Sequence, residues 1–386
     1  MPAGLIHGAS AVVFWACVAL MMYVYVGYPL TLLALRRRPL RLEKPTSLPR
    51  VTVVIAAYNE VEHIRETVCN KLTQDYPPEL LDVVVVSDGS EDGTDAAVSG
   101  LAAGGRVKLL RQEPRRGKTA ALNRAVEEAR GDIVVFSDAN SWYEADAVGR
   151  LVVPFSDPDV GYVTGQLTYE DPGRTAVGGG SGLYMRYESW LRRLETHVGS
   201  VVGVNGGIDA VRRSLYQSMR ADHQPDFVLP LRVILAGFRV VYWPEAAARE
   251  TALGRQEDEF HMRVRVSLRA LHTLWEMRRL LAPRFGLYAF QLLVHKVLRY
   301  LVFVAMAGTF AASALLAGTS FYLALFGLQA LFYGLALLGA LSGGRIRARV
   351  VFVPFYFCLV NLAAAAAMLR FLRGERQVLW NPRLGG

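Results

Sequence analysis

Two aspartates follow buried, β-rich runs of the sequence. Asp88 comes after a run of valines and opens into Gly89-Ser90, and Asp138 is separated from Asn140 by one residue. A turn or a helix cap explains either carboxylate alone. Two acids at strand ends in one domain favour a ligand-binding role for both over a turn or a cap. Asp88 would accept hydrogen bonds from a base or ribose, whereas Asp138 and Asn140 offer hard oxygen ligands for Mg²⁺ or Mn²⁺ on a diphosphate.

Basic side chains are candidates for binding the phosphates of such a ligand. Lys118 precedes a helical pattern, and a helix N-terminus adds positive potential there. The segment is not a P-loop, since Gln112 stands where the first glycine of that motif belongs. A solvated basic loop is the alternative. Arg263, Arg265 and Arg269 recur at helical spacing, and snorkelling to anionic lipid explains any one of them about as well.

Asp226 is a candidate general base. It follows Pro225 at the start of a helical pattern, so a favourable charge on the helix dipole is its simplest explanation. Transfer of a sugar from a diphosphate leaving group also requires such a residue. A carboxylate removes the proton of the acceptor hydroxyl while cations stabilise the departing phosphates.

Alternating strand and helix patterns must position these residues. The sequence predicts strands at 51–57, 82–87, 107–110, 132–137 and 239–243, and helices at 60–72, 119–130, 184–198, 226–236 and 257–279. This order predicts an α/β fold with a mainly parallel sheet, in which ligands bind at the carboxyl ends of the strands. A nicotinamide or flavin site is not expected, because the first strand lacks a following Gly-x-Gly-x-x-Gly.

Apolar runs flank this domain. The hydrophobic content of 52% exceeds what a soluble core needs, and the runs 11–35, 297–316, 321–341 and 350–369 each approach the ~20 residues that span a bilayer. We therefore predict one N-terminal and about three C-terminal transmembrane helices. The expected parts are an anchor at 1–40, a catalytic domain at 50–280, and an interfacial segment with membrane helices at 281–386.

The arginine clusters indicate how the chain is oriented. The net charge is +9, but arginines 36–38 and 345–349 stand beside apolar segments, which favours membrane lipid over nucleic acid as the partner. The positive-inside rule places the catalytic domain in the cytosol of a multi-pass protein of the cell membrane. Three C-terminal spans would leave the C-terminus outside, against the preference of Arg370, Arg373 and Arg376 for the inside. Three distant cysteines suggest neither disulfides nor zinc.

Four ordered segments resemble the nucleotide-binding half of glycosyltransferase family 2. They are 51–60, 83–94, 116–123 and 132–140. Members with flanking membrane helices, such as synthases of hyaluronan, cellulose and poly-N-acetylglucosamine, look similar across most of the chain. The resemblance implies a single GT-A-like nucleotide-sugar-binding domain, an inverting hexosyltransferase, a nucleotide-diphosphate sugar as donor (usually a UDP-sugar), and Mg²⁺ or Mn²⁺.

The resemblance also implies residue roles. Asp138 matches the first Asp of the family's Asp-x-Asp metal motif, with Asn140 in place of the second, and Asp226 matches the base, although Gln224-Pro225 precedes it. It further implies a set of residues that contact the nucleotide sugar: Ala57, Tyr58, Glu60, Asp88, Lys118, Arg263 and Arg265. The implied loop near the donor sugar or acceptor consists of Asn205, Gly206 and Gly207.

One motif of the processive members is incomplete here. Their Gln-x-x-Arg-Trp aligns with Met262 to Val266, where Arg265 remains and the Gln and Trp are lost. We expect transfer to a growing polysaccharide, and the small number of helices points to a homodimer or a partner subunit. Single transfer to a lipid acceptor, polyprenyl phosphate or diacylglycerol, is the alternative. A third possibility is a relative without catalytic activity. The retained acids and Arg265 argue against it.

Overall fold

The computed structural model describes residues 3–43, 47–102, 104–170, 176–251, 256–343, 346 and 348–378. Its centre is one eight-stranded sheet with the order β3-β2-β1-β4-β7-β6-β8-β5. The strands are β1 (Val51–Ala57), β2 (Leu81–Ser87), β3 (Val107–Arg111), β4 (Ile133–Asp138), β5 (Trp142–Tyr143), β6 (Val160–Glu170), β7 (Ile208–Arg212) and β8 (Arg239–Thr251).

The expected α/β fold with a mainly parallel sheet is confirmed. Strands β1 to β4 pair in parallel, as do β6 and β8, whereas β7 runs antiparallel to β4 and β6, and β5 antiparallel to β8. The sequence predicted β1 to β4 and the first half of β8. It missed β5, β6 and β7, which lie where the hydrophobic pattern is loose.

Strand β1 shows why the predicted strands are continuous apolar runs. All seven of its residues are buried, and successive side chains point to opposite faces of the sheet. Val53 and Ile55 pack into the core on one face, whereas Val54 and Ala56 pack on the other. Because helices cover both faces, neither set of side chains has to be polar.

Thirteen α-helices are described. They are α1 (Ala3–Met22), α2 (Tyr28–Ala34), α3 (Ile64–Leu72), α4 (Thr94–Ala102), α5 (Lys118–Glu128), α6 (Ala147–Val152), α7 (Ala176–Val198), α8 (Pro225–Leu235), α9 (Gln256–Glu276), α10 (Leu287–Leu292), α11 (Val302–Leu315), α12 (Ser320–Leu341) and α13 (Arg349–Leu372). One π-helical turn, Tyr23–Gly27, joins α1 to α2, and another, Leu293–Leu298, follows α10.

Three helical segments in the described part of the chain are long and apolar enough to cross a membrane. They are Ile6–Ala34, Ser320–Leu341 and Arg349–Leu372. Segments Leu287–Leu298 and Val302–Leu315 meet at an angle of 57° and make a fourth candidate if they are counted as one span. The expected number of about four is therefore reached only with this bent pair.

Helix α13 runs alongside α9 in the same direction. Near the start of both helices the Tyr356 hydroxyl donates to Glu259 Oε1 at 2.8 Å, and near their ends the rings of Phe371 and His272 lie 4.8 Å apart. The segment after α13 then reaches the catalytic domain, where Arg376 bonds Asp222 at 2.6 Å. The end of the described chain thus lies on the side of the catalytic domain, and the expectation that it lies on the opposite side is wrong.

The cause of that error is physical. Counting apolar runs does not show where a helix packs: α13 is apolar enough to be a candidate span, yet about half of its most apolar stretch is buried inside the protein, against α9 and α12. The contact of Arg376 with Asp222 places the end of α13, with Arg370 and Arg373, on the same side as the catalytic domain. Arg345 and Arg347 lie outside the described residues.

Candidate functional site

The ends of the parallel strands β1 and β4 form one edge of a cavity of about 330 Å³. The register pairs Ala57 with Ser87 and Ala56 with Asp138, so the residues that follow β1, β2 and β4 emerge side by side. Most of the predicted site residues line this cavity: Glu60, Lys118, Asp138, Asn140, Asn205, Gly206, Asp226, Arg263 and Arg265. Ala57, Tyr58, Asp88 and Gly207 lie next to it without lining it.

Asp88 holds the loop that leads into α5. Its carboxylate is fully buried and accepts hydrogen bonds from Gln112 Nε2 at 2.5 Å and from the backbone N–H groups of Arg116 and Gly117 at 2.8 and 2.9 Å. Gly117 adopts a φ of 90°, which favours glycine. Asp88 therefore fixes where Lys118 begins its helix, and its contact with a base or ribose stays a prediction.

The loop after β1 is tied to the loop after β2. Asn59 has a φ of 52°, a left-handed conformation that asparagine tolerates better than most residues. Its side-chain oxygen accepts from Glu91 N at 2.9 Å, and its own N–H donates to Ser90 Oγ at 3.1 Å. Beside it, the Arg115 guanidinium lies 3.4 Å from the centre of the Tyr58 ring. Tyr58 thus closes over the loop that Asp88 holds.

Lys118 and Asp138 form an ion pair at the mouth of the cavity, with Nζ donating to Oδ1. Burial alone would lower the pKa of Lys118, but Asp138 outweighs this effect, and Asp226 and Glu250 add to it, so the pKa is raised. Several carboxylates therefore converge on one ammonium group. Such a convergence of negative charge suits a cation.

Glu60 takes part in this convergence. Burial raises the pKa of Glu60 to about 7, and the neighbouring charges of Asp138 and Asp92 act in the same direction, whereas Lys118 opposes them. The Glu60 N–H donates to Thr94 Oγ1 at 2.9 Å, which fixes the backbone beside the cavity. Glu60 is consequently the acid of this loop that titrates near neutral pH.

Asp226 lies in the first turn of α8, half-buried and directed at the loop of Asn205 and Gly206. Gln224 Nε2 donates to its Oδ2 at 3.4 Å. Gly206 has a φ of 87°, and a methyl group added there would lie 2.9 Å from Asp226 Oδ2. The structure thus brings the predicted base into contact with the loop predicted to hold the donor sugar and acceptor.

Sequence reasoning missed two acids behind this loop. Asp209, on β7, accepts from Gly206 N at 2.8 Å, and burial raises its pKa to about 7 despite a hydrogen bond from Thr164. Glu250, near the end of β8, accepts a hydrogen bond from Ser141 Oγ and lines the cavity. The available signal was an acid inside an apolar run, Ile208-Asp-Ala-Val211, but β7 itself had not been recognised.

A buried lysine supports the Asp138–Ser141 loop from behind. Lys71 Nζ donates to Ser141 O at 2.5 Å and to Asn70 Oδ1 at 2.9 Å, and it lies 3.9 Å from the centre of the Tyr143 ring. Burial lowers the pKa of Lys71 to about 7. These bonds hold in place the loop that presents Asp138 and Asn140.

The arginines of α9 face the protein. Arg263 pairs with Glu259 at 2.9 Å and donates to the Tyr356 hydroxyl at 2.6 Å. Arg269 donates to Thr119 Oγ1 at 3.1 Å and to the carbonyl of His223. Snorkelling to lipid therefore does not explain these two residues. Arg265 lines the cavity beside Asp226.

The donors present suit a divalent cation shared with a ligand. Asp138 and Asn140 supply hard oxygen atoms, the type that Mg²⁺ and Mn²⁺ prefer. Among the residues that the structure describes, no group of three acidic, histidine or cysteine side chains is close enough to hold a metal alone. This fits a cation held by one or two side chains together with diphosphate oxygens.

The sheet, its strand-end acids and the adjoining basic loop define a GT-A-like α/β nucleotide-binding fold. The same fold occurs in a mannosyltransferase from Pyrobaculum calidifontis solved in complex with GDP-Man and Mn²⁺, with a TM-score of 0.74 and 24% identity over 96% of this chain and 99% of that one. Residues 52–218 match the sequence model of Glycosyl transferase family 2. The chain therefore carries a domain of this family.

Curated relatives match about half of the chain. An N-acetylglucosaminyltransferase of Rhizobium meliloti is 30% identical over 52% of this chain and 50% of its own length. An N-acetylglucosaminyltransferase of Azorhizobium caulinodans is 28% identical over 52% of this chain and 54% of its own. The poly-beta-1,6-N-acetyl-D-glucosamine synthase of Staphylococcus aureus is 26% identical over 52% and 49%. The chain thus spans about half the length of these relatives.

Proposed function

We propose that the protein is a membrane-bound inverting glycosyltransferase that uses a nucleotide-diphosphate sugar. The observation that carries the proposal is that Asp226 lines the same cavity as the Lys118–Asp138 pair. The Lys118–Asp138 pair has the charges for a diphosphate and its cation, and Asp226 supplies a carboxylate for the acceptor within the same cavity. Inversion follows if the acceptor oxygen attacks the face of the sugar opposite the diphosphate.

The roles of the side chains follow from their positions. Asp138 and Asn140 would hold Mg²⁺ or Mn²⁺, which when bound neutralises the diphosphate of the donor. Lys118 and Arg265 supply positive charge where the leaving phosphates gain negative charge. Asp226 takes the proton of the acceptor hydroxyl as that oxygen bonds to the sugar carbon. Asp88, Tyr58 and Ala57 belong to the loops that would enclose the nucleoside.

The names of the relatives suggest the first donors to test. Two N-acetylglucosaminyltransferases and a poly-N-acetylglucosamine synthase are among them, so UDP-N-acetylglucosamine comes first, and GDP-mannose follows from the structural neighbour. We expect the purified protein in lipid nanodiscs with Mg²⁺ or Mn²⁺ to release nucleoside diphosphate from one of them. Asp226→Asn should reduce the rate by at least ~100-fold, within the range that a general base contributes.

A matched control separates loss of the base from loss of the fold. Asp146→Asn alters an exposed acid at the start of α6 that pairs with Arg150, remote from the cavity, and should retain the rate. Equal rates in wild type and Asp226→Asn would refute the role of Asp226. Absence of turnover on every donor, with lipid and saccharide acceptors supplied, would favour the non-catalytic relative.

The acceptor distinguishes two versions of this function. Extension of a polysaccharide agrees with the synthase among the relatives and predicts a ladder of labelled products. Single transfer to a lipid predicts one labelled product that partitions into organic solvent. The lost Gln and Trp of the processive motif favour the second version, as do two cations at the far end of the cavity, Arg192 and Lys296.

We further propose that the catalytic domain faces the cytosol of the cell membrane, with α1 entering from outside. Helices α11 and α12 then cross the membrane outward and back, while α13 lies on α9 at the membrane surface. Exposed Trp190 on α7 and Trp275 on α9 suit the interfacial level. This arrangement keeps the arginines near both ends of α13 on the cytosolic side.

A further inference from the structure

The cavity has a second basic end, lined by α7 and by the π-helical turn after α10. Arg192 of α7 is 5% exposed, and its Nε donates to the carbonyl of Gly203 at 2.9 Å. Its Nη1 is buried and has no hydrogen-bond partner among the described residues. The side chain lines the cavity, so one guanidinium nitrogen has the unused capacity to donate to a ligand.

Lys296 joins Arg192 at this end. It comes from the π-helical turn after α10 and also lines the cavity. A methyl group added at Gly203 would lie 2.9 Å from its Nζ, and the Phe227 ring centre is 5.4 Å away. Within the described part of the chain, Nζ makes no ion pair or hydrogen bond. Gly203 thus places Lys296 and Arg192 on two sides of one small space.

The acids around this space are already neutralised by other groups. Glu188 binds Arg299 at 2.5 Å and His295 at 3.3 Å, and its pKa lies well below the usual value because the charge of Arg299, with smaller effects of His295 and Arg192, outweighs the effect of burial. Glu195 binds His295 at 2.6 Å and the Tyr28 hydroxyl at 2.6 Å. Glu188 and Glu195 are thus shared among several basic side chains, and they act on Arg192 and Lys296 only through space. Buried cations are costly unless they are paired and hydrogen-bonded, so Arg192 and Lys296 favour an anion in the cavity.

This basic end lies where the cavity meets the membrane helices. The apolar residues of α7 on either side of Arg192, Leu191 and Leu194, pack against Tyr28 and Leu32 of α2. Lys296 precedes the bend between the two segments of the fourth candidate span. An anion bound here therefore lies beside helices that are candidates for crossing a membrane, within reach of a molecule held by the bilayer.

We propose that Arg192 and Lys296 bind a phosphate group of the acceptor, which is a membrane lipid carrying phosphate. The inference rests on the proposed function and assigns the class of its acceptor. A polyprenyl phosphate, a sugar carried on a lipid phosphate, and an anionic phospholipid share this chemistry. Phosphate suits the pair because arginine and lysine donate charge-assisted hydrogen bonds to its oxygens.

The test compares acceptors in nanodiscs of neutral, zwitterionic lipid. Each preparation contains a polyprenyl phosphate, a polyprenyl-phosphate-linked sugar, phosphatidic acid or diacylglycerol at increasing mole fraction, and nucleoside diphosphate release and labelled lipid are measured. Arg192→Gln and Lys296→Gln should raise the apparent KM for the phosphate-carrying acceptor at least ~10-fold, as expected for loss of a charged hydrogen bond. The KM for the donor should stay within about twofold, which also shows that each variant folds.

Arg193→Gln is the matched control, because Arg193 is the next residue on α7 and is exposed. It should leave the acceptor KM unchanged. Labelling of the polyprenyl lipids would support a lipid-phosphate acceptor, and stimulation by phosphatidic acid without its labelling would assign the phosphate site to a headgroup. Diacylglycerol as the best acceptor, or an acceptor KM that neither variant changes, would overturn the proposal.

Binding measured without turnover separates this proposal from the proposed function. Thermal unfolding of the solubilised protein is followed with a short-chain polyprenyl phosphate, with inorganic phosphate and with the corresponding alcohol. We expect stabilisation by the lipid phosphate that Arg192→Gln abolishes and Arg193→Gln retains. A protein that binds the lipid phosphate in this way but turns over no donor would retain the phosphate site and refute the enzyme. Stabilisation by the alcohol alone would refute the phosphate site.

Discussion

The ammonium of Lys118 rests on the carboxylate of Asp138, 20 residues further along the chain. The first residue starts α5 and the second ends β4, so the pair joins the two elements that would bind the donor's diphosphate and its metal. A metal ion on Asp138 would compete with the ammonium for this carboxylate, and the diphosphate would offer the ammonium another partner. Metal and donor should consequently bind together more tightly than either binds alone.

Lys118→Gln should therefore separate metal binding from donor binding. Without the competing ammonium, Mn²⁺ should bind the donor-free protein several-fold more tightly, because an opposing charge has gone. The KM for the donor should rise at least ~10-fold through loss of a charge-assisted hydrogen bond. Titration with Mn²⁺ followed by electron paramagnetic resonance measures the first quantity, and nucleotide release the second. Lys108→Gln, which removes an exposed partner of Glu128, should change neither.

Asn140→Asp should strengthen metal binding. It places a second carboxylate beside Asp138, and negatively charged oxygen ligands bind Mg²⁺ and Mn²⁺ more strongly than an amide oxygen. We expect the metal concentration for half-maximal rate to fall several-fold. An unchanged metal requirement would indicate that residue 140 does not bind the metal.

Gly206→Ala should slow catalysis without weakening donor binding. The new methyl group would press on Asp226 Oδ2, so we expect kcat to fall at least ~10-fold, the effect of displacing a catalytic group. Gly237→Ala is a stringent control, since Gly237 has a φ of 88° against 87° for Gly206 and has open space around it. Similar kcat losses in both variants would attribute the effect to backbone strain alone.

Asp209→Asn should alter how stability depends on pH. Burial raises the pKa of Asp209 from 3.8 to about 7, so the wild-type group contributes stability below pH ~4 and loses it as pH rises through 7. The variant has no carboxyl group to ionise, so its stability does not fall in this way as the pH rises. Its free energy of unfolding should exceed that of wild type by at most about 4 kcal/mol at pH 8, and by less at pH 5. Thermal unfolding at the two pH values measures the difference. A larger gain at pH 5 than at pH 8 would contradict the assignment.

Cysteine labelling in intact cells should distinguish the faces of the membrane. In a variant lacking Cys17, Cys69 and Cys358, we expect Thr319→Cys, before α12, to react with an impermeant reagent added outside. Ser342→Cys, after α12, should react only once the membrane is opened. Labelling of residue 342 from outside would mean that α13 crosses the membrane.

The sequence was sufficient for the half of the fold in which burial is continuous. Strands β1, β2 and β4 are covered on both faces, so their apolar residues form nearly unbroken runs, and the acids at the ends of β2 and β4 were found for the same reason. Strand β7 combines a buried carboxylate with apolar neighbours, so its pattern was not recognised. The number of membrane crossings could not be decided from the sequence, because hydropathy does not tell whether lipid or α9 covers the apolar face of α13.

The second basic end of the cavity was not predictable from sequence. Arg192 and Lys296 are far apart in the chain. Arg192 belongs to an amphipathic helix and Lys296 to an apolar run, so in the sequence each looks like a charged residue at the edge of an apolar surface. What distinguishes them is that Glu188 and Glu195 are bound to other groups, which only the three-dimensional arrangement reveals.

Strand β8 has a consequence for the design of recombinant fragments. It begins at Arg239, beyond the segment 52–218 that matches the family, yet it is inserted in the sheet between β6 and β5 and brings Glu250 behind Gly207. A fragment cut at residue 218 would leave β6 as a bare edge strand, which is prone to pair with other chains and aggregate. The smallest segment that closes the sheet therefore extends through Thr251, and homology boundaries are a poor guide for expression.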